Sequence, residues 1–275
     1  MTFFALVSFY LRRHRVAFFA APAIVFAHQV VYLWLYQFWR ANASLGYLVV
    51  QALPNPVRQA FGMPFEDLSD ARTFQALYYL RPELRALTLL FGVTVATGVI
   101  AGEVGRGTGD VLFSHPLRRR TAVLAGVAAV ALHLLLFGAV MLLGYAAGTA
   151  LFDMGSRQPA LAELVPGTAL AMLATFTITL ASFLVGSLCG NRPQAVGWSL
   201  GVILLPLFLE LCGVFASGVD VVARFFPEHW YRPHRLLAAP AGAAAGECVW
   251  RLGAICAVLL AASVTAAERR DLSGS

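Results

Sequence analysis

The sequence predicts an all-α polytopic membrane protein with six transmembrane helices, on three observations. Hydrophobic residues make up 59% and charged residues 12% of the 275 residues, whereas a soluble domain carries about 25% charged residues. Six apolar runs approach the length of about 20 residues that a helix needs to cross a bilayer. These runs lack the alternation of apolar and polar residues typical of membrane β-barrels, which leaves helices as the structure that satisfies backbone groups in lipid.

The six runs form one transmembrane domain over residues 1–275. The first run holds no Asp, Glu, Lys or Arg. The second is short by itself, but Pro82-Glu83 predicts a helix start that lengthens it, because proline suits the first helical turn. The predicted spans are 16–38, 84–101, 121–151, 165–189, 196–218 and 248–267.

Residues 1–15 predict an interfacial helix along the inner leaflet. Their apolar positions precede a basic cluster, the reverse of the order in a signal peptide. An apolar run beginning at Val16 could act as a signal segment, but it continues to Phe38, which favours an uncleaved first span. The apolar residues of the predicted interfacial helix are Phe3, Phe4, Leu6, Val7, Tyr10 and Leu11, and its basic cluster is Arg12, Arg13 and Arg15.

The arginines predict a multi-pass topology with both termini in the cytoplasm. In this orientation the inner segments hold 10 of the 20 arginines in 48 residues, and the outer segments hold the other 10 in 93 residues. Basic residues close to spans favour the cytoplasmic side. The outer loops Trp39–Arg85 and Val219–Glu247 contain prolines and apolar stretches, which predict short amphipathic helices on the outer surface.

The loop Gly102–Arg120, between the second and third spans, has the most specific residue pattern of the chain. Residues 103–113 predict a short helix, in which Arg106 and Asp110 are four residues apart and able to pair along its side. Val111–Phe113 offer an apolar surface at its end. Composition alone favours a generic basic loop that merely joins two spans.

The second half of the loop predicts the start of the third span. Ser114 suits the cap of a helix, and Pro116 suits its first turn. Three arginines follow that would anchor the span at the lipid headgroups, namely Arg118, Arg119 and Arg120.

The same loop does not form a nucleotide-binding motif. Gly102 and Gly107-Thr108 have the glycine spacing of a phosphate-binding loop, but the required lysine is missing and a membrane span precedes the loop instead of a strand. The four cysteines have no Cys-x-x-Cys spacing. We therefore expect no catalytic residue, metal ligand or bound cofactor in this chain.

The order of residues in the loop resembles that of permease subunits of the ABC-2 transporter family. An interfacial start, a long outer loop, six spans and a charged tail are similar as well. The common leucine after Gly-Thr is Gly109 here, and the usual lysine after the arginine cluster is replaced by Ala125-Gly126. The pattern E-x-x-x-GT-x-x-x-L-x-S-x-P-x-x-R-R is matched by Glu103, Gly107, Thr108, Leu112, Ser114, Pro116, Arg119 and Arg120.

The resemblance implies a permease subunit, without enzyme activity of its own, that exports substrate across the bacterial plasma (inner) membrane. It further implies two copies of an ATPase subunit carrying ATP and Mg, and a second permease subunit that is identical or different. Apart from these, the expected partners are membrane lipids and not nucleic acid, because the arginines form no basic face. The residues that the resemblance assigns to the coupling helix are Glu103, Arg106, Gly107, Thr108, Asp110, Val111, Leu112 and Phe113.

Glu210 is the only acid deep inside a predicted span. A carboxylate there is costly, so it must face the bundle, a water-filled path or a partner. Glu210 is therefore a candidate for the substrate path, or else forms an interhelical hydrogen bond or stays neutral. Its neighbour Pro206 either kinks the helix or marks its boundary. Three further polar residues within spans, His28, Gln29 and His133, predict interhelical hydrogen bonds.

Two other functions remain open at this stage. A secondary transporter needs no ATPase, but it would have more intramembrane polar groups or broken helices than these spans show. A membrane scaffold or assembly protein would bind partners without moving a substrate.

Overall fold

The computed structural model describes residues 2–52, 68–105, 118–213, 217–223, 226–231, 237 and 243–269, and in these ranges the regular structure is entirely helical. Six helical segments are long and apolar enough to cross a membrane. The predicted all-α class and the number of spans are thereby confirmed, and the chain is a multi-pass membrane protein by the length and composition of its helices. In chain order the helices are α1 (Phe3–Arg13), α2 (Arg15–Ala41), α3 (Ala43–Ala52), α4 (Ala71–Tyr78), α5 (Pro82–Val99), α6 (Ala101–Val104), α7 (Arg119–Leu151), α8 (Leu161–Leu188), α9 (Arg192–Gly213), α10 (Ser217–Ala223), α11 (Pro227–Trp230) and α12 (Ala243–Arg269).

The long helices follow the predicted spans within a few residues, with two differences at their ends. The second span, predicted to reach residue 101, ends at Val99; Ile100 has φ −115° and ψ −63°, and the short helix α6 begins directly after it at Ala101. The fifth span, predicted to reach residue 218, is helical as far as Gly213, and helix is present again from Ser217; residues 214–216 lie outside the described residues.

The helix α8 lies at the centre of the bundle. It packs against α5, α7, α9 and α12, and α2 packs against α7. Two crossings depend on glycine: a Cβ added at Gly186 of α8 would lie 2.7 Å from the carbonyl oxygen of Ala96 on α5, and one added at Gly148 of α7 would overlap Leu33 of α2. Small residues at such crossings let membrane helices approach closely, which replaces the hydrophobic effect as the source of their association.

The buried apolar side chains form two large clusters near the two ends of the bundle. One contains residues of α1, α5 and the first half of α7, and extends to Ala267 of α12. The other contains residues of α2, α4 and the second half of α7. We call the end that carries Gly105 and Arg118 the loop end, and the other the opposite end.

At the loop end, α1 is an amphipathic helix. Arg12 and Arg13 occupy its last turn, where positive charge interacts favourably with the helix dipole. Phe4, by contrast, is largely exposed. The helix predicted for residues 1–15 is present, and its position along a membrane surface stays a prediction. The face that packs into the bundle consists of Leu6, Val7 and Tyr10.

In contrast to the predicted position on the outer surface, α4 packs inside the bundle. Phe74 stacks on Tyr32 of α2 with ring centroids 4.3 Å apart, and the Tyr32 hydroxyl donates a hydrogen bond of 2.6 Å to the Phe74 carbonyl. Gln29 of α2 donates a hydrogen bond of 3.1 Å to Gln75. The apolar stretch Phe74–Leu80 suits either location by composition, and the aromatic contacts with α2 favour the buried one.

The connection between α7 and α8 is tied to α2 at the opposite end. Arg40 donates hydrogen bonds of 2.7 and 2.8 Å to the carbonyl and carboxylate of Asp153. A second donor to this carboxylate is the amide of Gly155, whose φ of 76° lies in the region that favours glycine. The hydrogen bonds from Arg40 and Gly155 hold the pKa of Asp153 below its usual value.

Candidate functional site

Both ends of the Gly102–Arg120 loop are described by the structure. Glu103 lies in the short helix α6, and Arg118–Arg120 begin α7. The predicted coupling helix therefore stays a prediction beyond Gly105. The coupling residues that lie outside the described residues are Arg106, Gly107, Thr108, Asp110, Val111, Leu112 and Phe113.

Glu103 is held by an ion pair at the point where the loop begins. Its Oε1 accepts a hydrogen bond of 2.6 Å from Nη1 of Arg13. The side chain of Glu103 is 11% exposed and that of Arg13 is 29% exposed, and hydrogen bonds between charged groups are stronger than neutral ones. This pair joins α6 to the last turn of α1, which lies 90 residues earlier in the chain.

Tyr10 lies beside this ion pair. Burial, and to a lesser extent the nearby carboxylate of Glu103, raise the pKa of Tyr10, and the opposing effect of Arg13 is smaller. We call Tyr10, Arg13 and Glu103 the loop-base cluster.

Gly105, the last described residue in the first part of the loop, lies against the connection between α8 and α9. A Cβ added at Gly105 would lie 3.5 Å from Cα of Asn191. Asn191 caps α9, because its Oδ1 accepts a hydrogen bond of 2.9 Å from the amide of Gln194. Ala101 of α6 packs with Cys189 and Ala195 on either side of this connection. The base of the loop therefore contacts α1, α8 and α9.

The three arginines after the loop mark the start of α7. The carbonyl of Arg118 accepts a hydrogen bond of 2.8 Å from the amide of Thr121. Arg120 lies 3.8 Å from the carboxylate of Glu268 on α12, and such an exposed pair stabilises a protein little. The assignment of Arg118, Arg119 and Arg120 as membrane anchors stays a prediction.

Glu210 lies in the last turn of α9. The helix continues through Pro206 to Gly213, so Pro206 does not mark its boundary. The side chain of Glu210 lies outside the described residues, and its role in a substrate path stays a prediction.

A second group of polar side chains lies between α2 and α5, where the sequence predicted no site. His28 Nε2 lies 3.6 Å from Oε1 of Glu83, and His28 Nδ1 lies 3.4 Å from the hydroxyl of Tyr78. Arg81 Nη1 lies 3.3 Å from the same oxygen of Glu83, and its guanidinium carbon lies 5.0 Å from the ring centroid of Tyr32. We call these five residues the midpoint cluster.

The midpoint cluster lies halfway along α2. His28 is central in this helix of 27 residues, roughly 20 Å from either end at 1.5 Å per residue. Exposed apolar residues flank this level, including Ile24 and Val31. The side chains of His28, Arg81 and Glu83 are nevertheless 30%, 39% and 43% exposed. Charged groups inside a membrane face water or protein and not acyl chains. This side of the bundle therefore faces water or another protein surface.

Sequence reasoning missed this cluster for a physical reason. Arg81 and Glu83 were placed in an outer loop, because charges normally lie outside the spans. The helix start at Pro82-Glu83 was the one local signal, and it does not reveal that His28, more than 50 residues earlier, is the neighbour of Glu83.

The predicted interhelical polar contacts are partly confirmed. Gln29 and His28 contact polar groups of α4, as described above. His133 packs instead by its ring, which stacks on Phe91 with centroids 4.0 Å apart and lies 5.3 Å from the ring of Phe18.

Within the described ranges no three His, Cys, Asp or Glu side chains are placed to hold a metal ion. None of the four cysteines forms a disulfide. Comparison with protein-family models finds no family that matches this chain, and comparison with curated proteins finds no significant match. A function for the chain is therefore drawn from its own residues.

Proposed function

We propose that this chain is the membrane-spanning permease subunit of an ABC-2-type transporter, which exports its substrate with ATP hydrolysed by separate ATPase subunits. The ordered residues of the Gly102–Arg120 loop support this proposal. The single observation that carries it is the hydrogen-bonded ion pair between Glu103 and Arg13, because it ties the first residue of the family-like pattern to a different helix.

A coupling element has to transmit the movement of a docked partner to the membrane helices. Glu103 accepts a hydrogen bond from Arg13 of α1 and follows α5 closely in the chain. Gly105 contacts the connection that leads into α9. A displacement of the loop would therefore act on α1, α5 and α9 together. A loop without such contacts would move without displacing the membrane helices.

In the proposed assembly two permease subunits, identical or different, bind two ATPase subunits that carry ATP and Mg. The chain itself has no lysine-containing phosphate-binding loop. The loop end and both termini lie in the cytoplasm of a bacterial cell, in agreement with the arginine density next to the spans. Glu210 on α9 is proposed as a residue of the substrate path.

Co-purification tests this proposal. The tagged chain is isolated from native membranes in mild detergent, and the proteins that accompany it are identified and quantified. The test variant is Leu112→Asp, which places a charge on the predicted apolar contact of the coupling helix. The matched control is Leu188→Asp, because Leu188 is exposed at the last residue of α8, at the same end of the bundle.

We expect a stoichiometric ATPase with the wild-type chain and with Leu188→Asp, and its loss with Leu112→Asp while the chain still inserts. A stable wild-type complex without an ATPase would contradict the proposal. A secondary transporter or a membrane scaffold would then be the better description.

A further inference from the structure

We infer that the midpoint cluster is a binding site for a monovalent organic cation of the guanidinium or quaternary ammonium type, and that the side chain of Arg81 occupies it in this structure. The inference concerns binding alone and does not depend on an ATPase, so it can fail or hold independently of the proposed function.

The Arg81 guanidinium lies among aromatic side chains. It lies over one face of the Tyr32 ring, 5.0 Å from the centroid. Tyr32 also stacks on Phe74 with centroids 4.3 Å apart and contacts Tyr78 with centroids 5.0 Å apart. These contacts hold the ring in place beneath the guanidinium, which has the geometry of a cation–π contact.

The charge of the site suits a monovalent cation. Glu83 provides one carboxylate, which lies 3.3 Å from Nη1 of Arg81 and 3.6 Å from Nε2 of His28. One carboxylate and aromatic walls match a monovalent cation with apolar surface. A small divalent ion would need six or more oxygen ligands, and the side-chain oxygens of the midpoint cluster are the Glu83 carboxylate and the hydroxyls of Tyr32 and Tyr78.

Arg81 is placed so that its side chain can leave the site. It precedes α5 with extended backbone dihedrals of φ −64° and ψ 121°, and its side chain makes no capping hydrogen bond to the helix. Its side chain is 39% exposed, so it can swing outward without breaking α5. A tethered side chain of this kind competes with a free ligand at an effective concentration of about a millimolar or more. Removal of Arg81 should therefore reveal the affinity of the site.

Binding of ethylguanidinium and of tetramethylammonium to the full chain in lipid nanodiscs tests the inference by titration calorimetry. The test variant is Arg81→Gln, which keeps a polar side chain and removes the competing cation. A second variant, Arg81→Gln with Glu83→Gln, removes the carboxylate as well. Arg85→Gln is the matched control, because Arg85 is one turn further along α5 and its guanidinium lies 4.3 Å from the ring of Tyr231.

We expect Arg81→Gln to bind at least one of the two cations about tenfold or more tightly than the wild-type chain. We expect Arg85→Gln to behave like the wild type, and the double variant to lose binding. Equal affinities of the wild type and Arg81→Gln, or no saturable binding by Arg81→Gln, would overturn the inference and leave Arg81 a structural contact.

Folding of each variant is checked by its elution volume and thermal unfolding. If Arg81→Gln does not fold, Arg81→Met takes its place, because methionine keeps an unbranched flexible side chain and removes the competing charge. The expected result is then tighter binding of ethylguanidinium than in the wild type, and no change from wild type would count against the inference.

Discussion

Replacement of Arg13 by glutamine should destabilise the protein more than replacement of Glu103 by glutamine. In Arg13→Gln the carboxylate of Glu103, 11% exposed, loses a charged donor at 2.6 Å and stays shielded from water. In Glu103→Gln the guanidinium, 29% exposed, keeps access to solvent. The difference follows from the higher cost of a buried charge that loses its partner.

The magnitude lies between two known limits. Exposed ion pairs are worth about 0.2–1 kcal/mol, and the loss of one partner from a fully buried pair costs about 3–5 kcal/mol. A hydrogen bond to a charged group contributes about 1.5–3 kcal/mol. With one partner shielded and the other partly exposed, we expect about 2–3 kcal/mol for Arg13→Gln, about 1 kcal/mol for Glu103→Gln, and a coupling energy of about 1–2 kcal/mol between them.

Equilibrium unfolding in mixed micelles, followed by circular dichroism, measures these values for both single variants and the double variant. Arg12→Gln is the control, because Arg12 is the preceding residue of α1 and has no ion pair among the described residues. The reasoning would be refuted by additive effects in the double variant, or by an Arg12→Gln loss as large as that of Arg13→Gln.

Three further predictions concern packing, hydrogen bonding and pH. Gly186→Ala should lower stability by about 1–3 kcal/mol, because its Cβ would meet a backbone oxygen at 2.7 Å. In Gly201→Ala the added Cβ would meet no atom of the described residues within 4 Å, so the higher helix propensity of alanine should leave stability unchanged or raise it by up to about 1 kcal/mol; equal shifts in thermal unfolding would contradict this. Gln75→Leu should cost about 1–3 kcal/mol by leaving the fully buried amide of Gln29 without its partner, and Gln29→Leu combined with Gln75→Leu should be nearly neutral; a double variant as unstable as the sum of the single variants would argue against the contact. The pKa of Asp153 is lowered in the folded protein, so its contribution to folding stability is present above the unfolded pKa of about 3.9 and is lost as the pH falls through the lower folded pKa. The stability advantage of the wild type over Asp153→Asn, measured from pH 2 to 6, should therefore shrink below about pH 4. A difference that stays constant over this range would speak against the Arg40 contact.

The number and order of the spans could be predicted because a membrane imposes a length on each helix. Residues 121–151 hold no charged side chain, and the helix α7 covers them at Arg119–Leu151. The burial of α4 could not be predicted in this way. Its apolar residues suit a surface or an interior position equally, and the contacts that decide, between Phe74 and Tyr32 and between Gln75 and Gln29, join residues more than 40 positions apart.

In the candidate site, too, local features could be predicted from the sequence and long-range contacts could not. Glu103 was predicted as a functional residue from a local order of residue types, which a sequence displays directly. Its partner Arg13 was assigned to a basic cluster on an interfacial helix, because nothing in the local pattern separates Arg13 from Arg12. The midpoint cluster escaped prediction since its members belong to three different helices and to the link before α5.

The meeting of α4 and α5 beside the centre of α2 has a consequence for biogenesis. The most apolar 18-residue stretch of the segment Ala71–Val99 has a mean hydropathy of 1.2, the lowest such value of the six candidate spans, and the segment includes Arg81 and Glu83. These charges find their neighbours, His28 and Tyr32, on a helix that is synthesised earlier. The second segment therefore enters the bilayer against a helix that already offers it a polar surface, and translation order from α2 to α5 lowers the barrier to its insertion.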